Sequence, residues 1–351
     1  EGAGVVTLVA PGAGPAAPVE GAAAGVGLRH GLRQLGSPRW RKRNLTFDRI
    51  SFFAVFLVVP LVGYIAFVVS PFVQAAYFSL TSWSGFSPEI PFVGLANYTK
   101  LLDDDIFLTA VGNSVVFALV LPTVTLVLAM FFATLVTVGG SSRGNVRGLA
   151  GSGFYRIVSF FPYVIPAIVI GLIWSQIYDP NSGILNGVLT RAGLDSFASF
   201  AWLGEVGTAK AAVMFVIVWG LVGFYMVLFI AAIKGIPAEI FEAARVDGAG
   251  RFRTTISITI PLVRDNIQTA YIYMGILALD AFVYMAALEP GGGPENSTLV
   301  MSQQLFTTAF TKGQFGYACA MGVVLAVITL AYAGLVFGVV RLTGGRDEVA
   351  E

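Results

Sequence analysis

The sequence predicts an all-α membrane protein with six transmembrane helices. Hydrophobic residues make up 56% of its 351 residues and charged residues only 12%, whereas a soluble domain is roughly half apolar and about a quarter charged. Six apolar runs approach the ~20 residues that a helix needs to cross a bilayer. They cover residues 52–69, 114–138, 157–177, 211–233, 271–288 and 316–340. The fifth run is the weakest of the six.

The two ends of the chain are expected to lie outside the six-helix domain, which we place at residues 46–343. Residues 1–45 are rich in Ala, Gly and Pro and then become basic, a composition that buries too little apolar surface to fold. A signal peptide would place its charges before an unbroken apolar core, but here prolines interrupt the apolar residues and the charges follow. We therefore predict a disordered cytoplasmic tail at 1–45 and a second cytoplasmic tail at 344–351.

The basic residues predict the orientation in the membrane. An even number of spans puts both termini on one side, and Lys and Arg are concentrated in cytoplasmic segments. One side receives most of them, namely Arg29, Arg33, Arg39, Arg41, Lys42, Arg43, Arg49, Arg143, Arg147, Arg156, Lys234, Arg245, Arg251, Arg253, Arg264, Arg341 and Arg346. The other side receives Lys100, Arg191, Lys210 and Lys312. Both termini and the loop between the fourth and fifth spans are therefore predicted to be cytoplasmic.

Composition excludes several classes of function. A net charge of +1 gives no basic groove for nucleic acid. Cys319 and His30 are single, so the sequence predicts no internal disulfide, no metal site and no enzyme. The chain lacks Gly-x-x-x-x-Gly-Lys-Ser/Thr, and its Gly-rich run at 139–144 has neither the Lys nor the strand-to-helix context of a phosphate-binding loop. We expect this run to be a flexible connection and the chain to bind no ATP or other cofactor itself.

Prolines and one acidic residue lie within the predicted spans. Pro60 and Pro71 in the first span predict a kink, because a proline removes a backbone hydrogen bond that neighbours must replace. Asp280 is well inside the fifth span, where a charge costs at least ~2.5–3.5 kcal/mol. It either lines a polar path or pairs with a helix terminus or a backbone group of a neighbouring span.

The segment between the fourth and fifth spans is polar. Pro237 suits the first position of a helix and Gly248 suits its end, so we predict a helix of about ten residues between them. A helix this short is not stable alone in water. It needs a partner surface, to which Glu242, Arg245 and Asp247 offer charges.

The same segment carries a motif with fixed spacing. The pattern EAA-x3-G-x9-I-x-L-P is present, with Ile in place of Leu, at Glu242, Ala243, Ala244, Gly248, Ile258, Ile260 and Pro261. It resembles the EAA loop of the membrane permease subunits of binding-protein-dependent ABC importers. Further matches to the sugar-type permeases follow in the family's order at Phe92-Val93-Gly94-Leu95-Ala96-Asn97-Tyr98, Asn113-Ser114, Phe161-Pro162-Tyr163, Pro166, Trp174, Gly183, Asn186, Gly291-Gly292-Gly293-Pro294 and Phe315-Gly316-Tyr317-Ala318. The resemblance covers roughly residues 50–343 and favours the first (MalF/UgpA-like) type of permease.

The resemblance implies the type I ABC importer permease fold. In that family the EAA loop, here residues 234–264, holds a coupling helix that docks on an ATPase subunit. Carried over to this chain, the coupling residues are Glu242, Ala243, Ala244, Asp247 and Gly248. Glu242 would be the charged anchor, the two alanines would permit close approach, and Gly248 would be the hinge.

The resemblance also implies partners and a location. The expected partners are a second, MalG-like permease, two ATPase subunits that bind the ATP, an extracytoplasmic solute-binding protein, membrane lipid and a sugar. The location would be the bacterial inner membrane. Mono- or oligosaccharides fit the family, with amino sugars such as N-acetylglucosamine or chitobiose as a guess. Because aromatic faces and polar groups recognise sugars, the candidates for the substrate path are Trp219, Tyr225 and Asp280.

Other classes of protein remain as alternatives to this interpretation. An ion-coupled secondary transporter of a polar solute would need titratable or cation-coordinating groups in mid-membrane and usually an internal repeat. The sequence offers one such acid, Asp280, and no repeat. A membrane-embedded scaffold has a compatible composition, but the EAA spacing does not favour it.

Overall fold

The computed structural model describes residues 51–137 and 151–344, and within these ranges the chain is helical without a β-strand. The predicted tails and the Gly-rich connection lie outside the described residues, apart from Gly344. The helices are α1 (Ser51–Phe78), α2 (Ala96–Leu102), α3 (Asp105–Thr137), α4 (Ser152–Val164), α5 (Ala167–Ile177), α6 (Ile184–Arg191), α7 (Val206–Lys234), α8 (Ala238–Val246), α9 (251–262), α10 (Arg264–Leu279), α11 (Phe282–Leu288), α12 (Met301–Phe306) and α13 (Phe315–Gly344).

Four of these helices are each long and apolar enough to cross a membrane, namely α1, α3, α7 and α13. Two further candidates are bent pairs, α4 with α5 and α10 with α11. When each bent pair is counted as one span, the described residues contain the six predicted spans. The second span begins at Asp105 rather than Ser114, so Asn113 and Ser114 lie inside it instead of opening it.

The third span is not the continuous helix that the sequence predicted. Its two halves meet at an angle of 95°, because Ile165 is extended (ψ 131°) and Pro166 precedes the first residue of α5. A residue before proline is driven out of the helical region by the proline ring. Arg156, expected in the preceding loop, lies within α4.

The fifth span, the weakest in the sequence, is also interrupted. Its halves meet at 47°, and the break lies at Asp280 and Ala281. Neither proline nor glycine marks this break in the sequence. Asp is a poor helix former. An interruption of the helix is also favourable for a polar residue that lies inside a span.

Three prolines inside helices coincide with π turns, whereas Pro122 and Pro162 lie in helices without one. Each of three π segments ends two residues before a proline, at Pro60, Pro71 and Pro261. The residue before each proline donates its N–H to the carbonyl five positions back, as Val59 does to Ala54. The wider turn accommodates the ring, which in a regular α-helix would clash with the carbonyl four residues earlier. The first span therefore absorbs its two prolines in π turns within one helix.

The buried core surrounds α7, which packs against α3 and α4, while α5 packs against α11. Phe117, Ile217 and Phe229 are fully buried between these helices. The backbones of α4 and α7 are in direct contact at Gly223, since a Cβ there would overlap the Ser159 carbonyl oxygen. A small residue at this point allows close helix packing where no water drives association.

Asn113 fixes the segment that follows the fifth span. Its Nδ2 donates to the carbonyl oxygens of Asn296 (2.8 Å) and Leu299 (2.9 Å), and its Oδ1 accepts from Lys210 Nζ at 2.8 Å. The neighbouring Ser114 hydroxyl accepts from the N–H of Met301, the first residue of α12, at 3.0 Å. These contacts hold α12 against the second span.

Candidate functional site

The breaks in the third and fifth spans open onto one cavity of about 450 Å³. We call it the break cavity. Its lining residues are Tyr163, Val164, Ile165, Pro166, Ala167, Ile170, Gly220, Leu221, Leu277, Asp280, Val283 and Tyr284. They come from the third, fourth and fifth spans. In transporters, interrupted helices of this kind line substrate sites, because irregular backbone at membrane depth is tolerated where it borders a cavity.

Asp280 lines the break cavity at the junction of α10 and α11, where it is the C-cap of α10. It lies two residues before Phe282, the start of α11, and Pro166 and Ala167 at the start of α5 line the same cavity. The N-terminal end of a helix carries partial positive charge and stabilises an anion, whereas the C-terminal end of α10, which Asp280 caps, carries partial negative charge. Asp280 thus lines a cavity and also lies at a helix terminus, the two positions that the sequence left open.

Two tyrosines give the break cavity aromatic surface. Tyr163 stacks on Phe224, with ring centroids 4.6 Å apart and planes inclined by 25°. Tyr284 is buried, and its hydroxyl lies next to Gly220, where a Cβ would come within 3.2 Å of it. Tyrosine offers both an apolar face and a hydroxyl, which suits a ligand that has C–H faces and hydroxyl groups.

The three residues predicted for the substrate path are not brought together. Only Asp280 lines the break cavity. Trp219 packs edge-to-face on Trp174 at 5.4 Å between ring centroids. Tyr225 is 1% exposed in the core of the bundle. The substrate-path prediction did not select Tyr163 or Tyr284, although Pro166 marks the break beside Tyr163.

The second candidate element is α8, which the sequence placed within one residue of its bounds. Pro237 is the N-cap rather than the first helical residue. Gly248 has φ +75°, and the N–H groups of Gly248 and Ala249 donate to the carbonyls of Arg245 (3.0 Å) and Ala244 (2.9 Å). This is the Schellman arrangement, which requires a left-handed backbone at Gly248. It favours glycine, because a residue without a Cβ adopts this conformation without a steric penalty.

The two faces of α8 have opposite environments. Phe241 and Ala244 are buried, and Phe241 belongs to the core cluster of the bundle. Ala244 therefore permits close approach of α8 to its own bundle. The other residues predicted for coupling, Glu242, Ala243, Asp247 and Gly248, are exposed. Part of the partner surface that this short helix needs is thus supplied by the chain itself.

Arginines connect the segment after α8 to two spans. Arg251 at the start of α9 donates from Nη2 to the Leu135 carbonyl (3.3 Å), near the C-terminus of α3. Arg264 at the start of α10 donates from Nη2 to the Val340 carbonyl (2.7 Å) in α13. Cations are favourable at helix C-terminal ends. These hydrogen bonds join the segment after α8 to the second and sixth spans.

Comparison with known proteins identifies the architecture. Residues 136–343 match the model of the family described as binding-protein-dependent transport system inner membrane component. The chain belongs to this family. Its members are transport components of the inner membrane, and the prediction that the chain is not an enzyme is confirmed.

Individual relatives agree with this assignment. The chain is 64% identical over 309 residues to the diacetylchitobiose uptake system permease protein NgcF of Streptomyces coelicolor, a match that covers 88% of each chain. It is 38% identical to the probable ABC transporter permease protein YurN of Bacillus subtilis, covering 78% of this chain and 91% of that protein.

A solved structure confirms the fold. The crystal structure of a bacterial ABC transporter that imports alginate matches 84% of this chain and 97% of its own chain, with a TM-score of 0.71 at 18% identity. At that identity the match concerns the fold alone. The predicted type I permease fold is therefore confirmed, and both helix breaks and α8 lie inside the range that matches the family model.

Proposed function

We propose that the chain is a permease subunit of an ATP-driven sugar importer, and that its substrate is a small oligosaccharide of N-acetylated amino sugars. The observation that carries the transport role is the break cavity, in which two interrupted spans surround a carboxylate and two tyrosines. The sugar class rests on the 64% identity to a diacetylchitobiose permease. Tyr163 and Tyr284 would pack on the sugar faces, and Asp280 would accept hydrogen bonds from hydroxyl or amide groups.

The proposed assembly contains a second, MalG-like permease, two ATPase subunits and an extracytoplasmic solute-binding protein. The second permease would close the open side of the break cavity. ATP would be bound by the ATPase subunits and not by this chain. α8 would be the coupling helix that receives the movement of the ATPase subunits and transmits it through Arg251 and Arg264 to the second and sixth spans.

The proposed orientation places both termini and the coupling helix in the cytoplasm, because the basic residues divide in that way. Single cysteines at positions 251, 100 and 312 test it, in a background in which Cys319 is replaced by Ser. An impermeant maleimide on intact cells should label positions 100 and 312 and leave 251 unlabelled until the cells are opened. External labelling at position 251 would contradict the six-span topology.

The substrate class is tested by uptake in a strain that lacks this permease. Labelled diacetylchitobiose should enter only when the chain is restored, and unlabelled N-acetylglucosamine oligosaccharides should compete more strongly than maltose or xylose. Equal competition by maltose would assign the chain to a different sugar. No restored uptake of any sugar tested, with the complex present in the membrane, would contradict the sugar-import proposal.

The coupling role is tested by Glu242→Lys. Breaking a partly buried, hydrogen-bonded charge pair costs about 3–5 kcal/mol, so uptake should be lost and the ATPase subunits should dissociate during purification, while the permease still inserts and still binds the second permease. Arg346→Glu in the tail is the control and should leave uptake unchanged. Normal uptake by Glu242→Lys with ATPase subunits still bound would exclude α8 as the coupling element.

A further inference from the structure

A second cavity, separate from the break cavity, runs along the last part of α3, where α7, α9 and α10 border it. Its volume is about 610 Å³. Its floor is buried, since Leu126, Met130 and Phe229 are at most 7% exposed. Its rims are apolar but exposed, and Val127 of α3 and Phe252 of α9 are 63% and 79% exposed. We call this cavity, which all five residues line, the α3–α9 groove.

The α3–α9 groove offers few polar groups to an occupant. Thr123 and Thr134 donate their hydroxyls to carbonyl oxygens of their own helix, at Leu119 (2.6 Å) and Phe131 (2.9 Å). Among the described residues that line the groove, Arg251 carries the only charge. A sugar in this groove would lose hydrogen bonds to water without replacing them. The groove therefore suits a molecule with an apolar body and one anionic end.

The length of the α3–α9 groove matches one leaflet of a bilayer. Arg251 lies at one end, where its Nη2 donates to the Leu135 carbonyl. The lining residue of α3 farthest from this end is Thr123, whose hydroxyl contacts that of Tyr271 at 3.2 Å. The stretch of α3 between Thr123 and Leu135 is roughly 18 Å long, and half of a hydrocarbon core is roughly 15 Å thick. A helix of the second permease would cross both leaflets, whereas an acyl chain ends where this groove ends.

The charge at the end of the groove favours an anionic headgroup. In the proposed orientation, α9 and the C-terminus of α3 lie at the cytoplasmic surface of the membrane, where the lipids carry negative charge. Basic pockets between spans on this side bind anionic headgroups. Arg251 is positioned by its hydrogen bond to Leu135, and a guanidinium has five donors in a fixed fork that fits a phosphate.

We propose that the α3–α9 groove binds an anionic phospholipid of the cytoplasmic leaflet, with an acyl chain against Val127 and Phe252 and the phosphate at Arg251. This proposal rests on the proposed orientation of the chain, and it adds a lipid ligand to the proposed transporter. The lipid would fill the space between the second span and the segment that follows α8. It would therefore hold α9 in place beside α3.

The headgroup site is tested on the complete transporter in nanodiscs that contain phosphatidylglycerol and phosphatidylcholine in equal amounts. Native mass spectrometry of the released transporter counts each lipid that stays bound, a readout that does not depend on coupling or uptake. The wild type should prefer phosphatidylglycerol, and Arg251→Gln should lower this preference about fivefold. Arg251→Lys should keep most of it, because the charge remains. Arg253→Gln is the matched control, since Arg253 is exposed on the same helix but does not line the groove, and it should behave as the wild type.

The acyl-chain site is tested in the same nanodiscs by Val127→Trp, which fills the groove from its rim. Bound phosphatidylglycerol should fall roughly tenfold, because the chain loses its apolar contacts. Val124→Trp is the matched control, since Val124 is also exposed on α3 but does not line the groove. It should bind the lipid as the wild type does.

Several outcomes would overturn the lipid site. Equal retention of the two lipids by the wild type would mean that ordinary bilayer lipid fills the groove. Equal phosphatidylglycerol binding by Arg251→Gln and Arg253→Gln would exclude the headgroup site, and equal binding by the two Trp variants would exclude the chain site. Loss of the second permease from Val127→Trp, with unchanged lipid binding, would assign the groove to the subunit interface. Each of these results leaves the sugar-import proposal standing, which fails separately if the restored chain imports no sugar.

Discussion

The exposed helix α8 and the break cavity present their side chains in opposite ways. α8 is convex, and its candidate residues lie within eleven consecutive positions, from Ala238 to Gly248. The break cavity is concave, and its lining comes from three spans, with Tyr163 and Asp280 more than a hundred residues apart in sequence. A substitution on α8 should therefore change contacts with a partner, whereas a substitution around the cavity should change either the packing of the bundle or the solute that fits.

Gly223→Ala should have the largest effect, because it disrupts the packing that frames the cavity. The added Cβ would overlap the Ser159 carbonyl oxygen, and α4 would have to move away from α7. Overpacking that forces the backbone to shift costs about 1–3 kcal/mol, and more where the clash is with backbone atoms that cannot give way. We expect little intact transporter in the membrane, as measured by quantitative blotting.

Gly207→Ala provides the matched control in the same helix. A Cβ at Gly207 would meet nothing within 4 Å, and Ala is a better helix former than Gly by about 1 kcal/mol. This variant should accumulate at least as well as the wild type. Equal abundance of the two variants would show that the close contact between α4 and α7 does not frame the cavity.

Asp280→Leu should separate transport from assembly. The side chain is similar in size, but it removes the polar group of the cavity, and losing a hydrogen bond to a charged group costs about 1.5–3 kcal/mol. Uptake at low substrate concentration should therefore fall roughly ten- to hundredfold while the transporter remains at normal abundance. Reduced abundance would assign Asp280 a structural role at the helix terminus. Normal uptake at normal abundance would contradict both roles.

Gly248→Thr should have a smaller effect, confined to the end of α8. A β-branched residue at φ +75° is strained by about 1–2 kcal/mol, so the Schellman turn would distort and ATPase retention should fall. Gly250→Thr is the control, because Gly250 has an extended backbone (φ −72°, ψ 167°) at an N-cap, where Thr is well tolerated. Equal ATPase retention by the two variants would mean that the left-handed turn does not position α8.

The sequence revealed α8 and most of the spans, but not the break cavity. Pro237 and Gly248 are local signals: Pro237 directly precedes α8, and Gly248 follows its C-cap, Asp247. The spans are recognised because nearly all their residues are apolar. The same property hides which side of each helix faces the bundle, because lipid-facing and core-facing residues are equally apolar. Periodicity therefore could not select Tyr163 or Tyr284 as cavity residues or exclude Tyr225.

The two helix breaks differ in how far they could be foreseen. Pro166 is a sufficient signal for the first, because the residue before a proline avoids the helical region. The second, at Asp280, has no proline or glycine, and its only sign was a charge in an apolar run. Both breaks border one cavity because α5 and α11 pack together. No local sequence pattern contains this packing.

The smallest expected effect concerns the end of the broken fifth span, where Glu289 follows α11. Its carboxyl is half-buried, its Oε1 has no hydrogen-bond partner, and burial raises the pKa of Glu289 to about 7 from an ordinary value of 4.5. The folded protein therefore holds this proton at pH values where the unfolded chain has released it. The resulting stability is fully present below pH 4.5 and is lost as the pH rises through about 7.

Glu289→Gln should remove this pH dependence, because the amide keeps the shape of the protonated carboxyl without titrating. Thermal unfolding of the purified transporter should show a midpoint that declines between about pH 5 and pH 8 in the wild type and declines less in Glu289→Gln. Glu295→Gln is the matched control, since Glu295 is exposed in the same segment, and its profile should follow the wild type. A Glu289→Gln profile identical to the wild type would show that the carboxyl is solvated in the assembled transporter, and that a partner or water reaches the C-terminal end of α11.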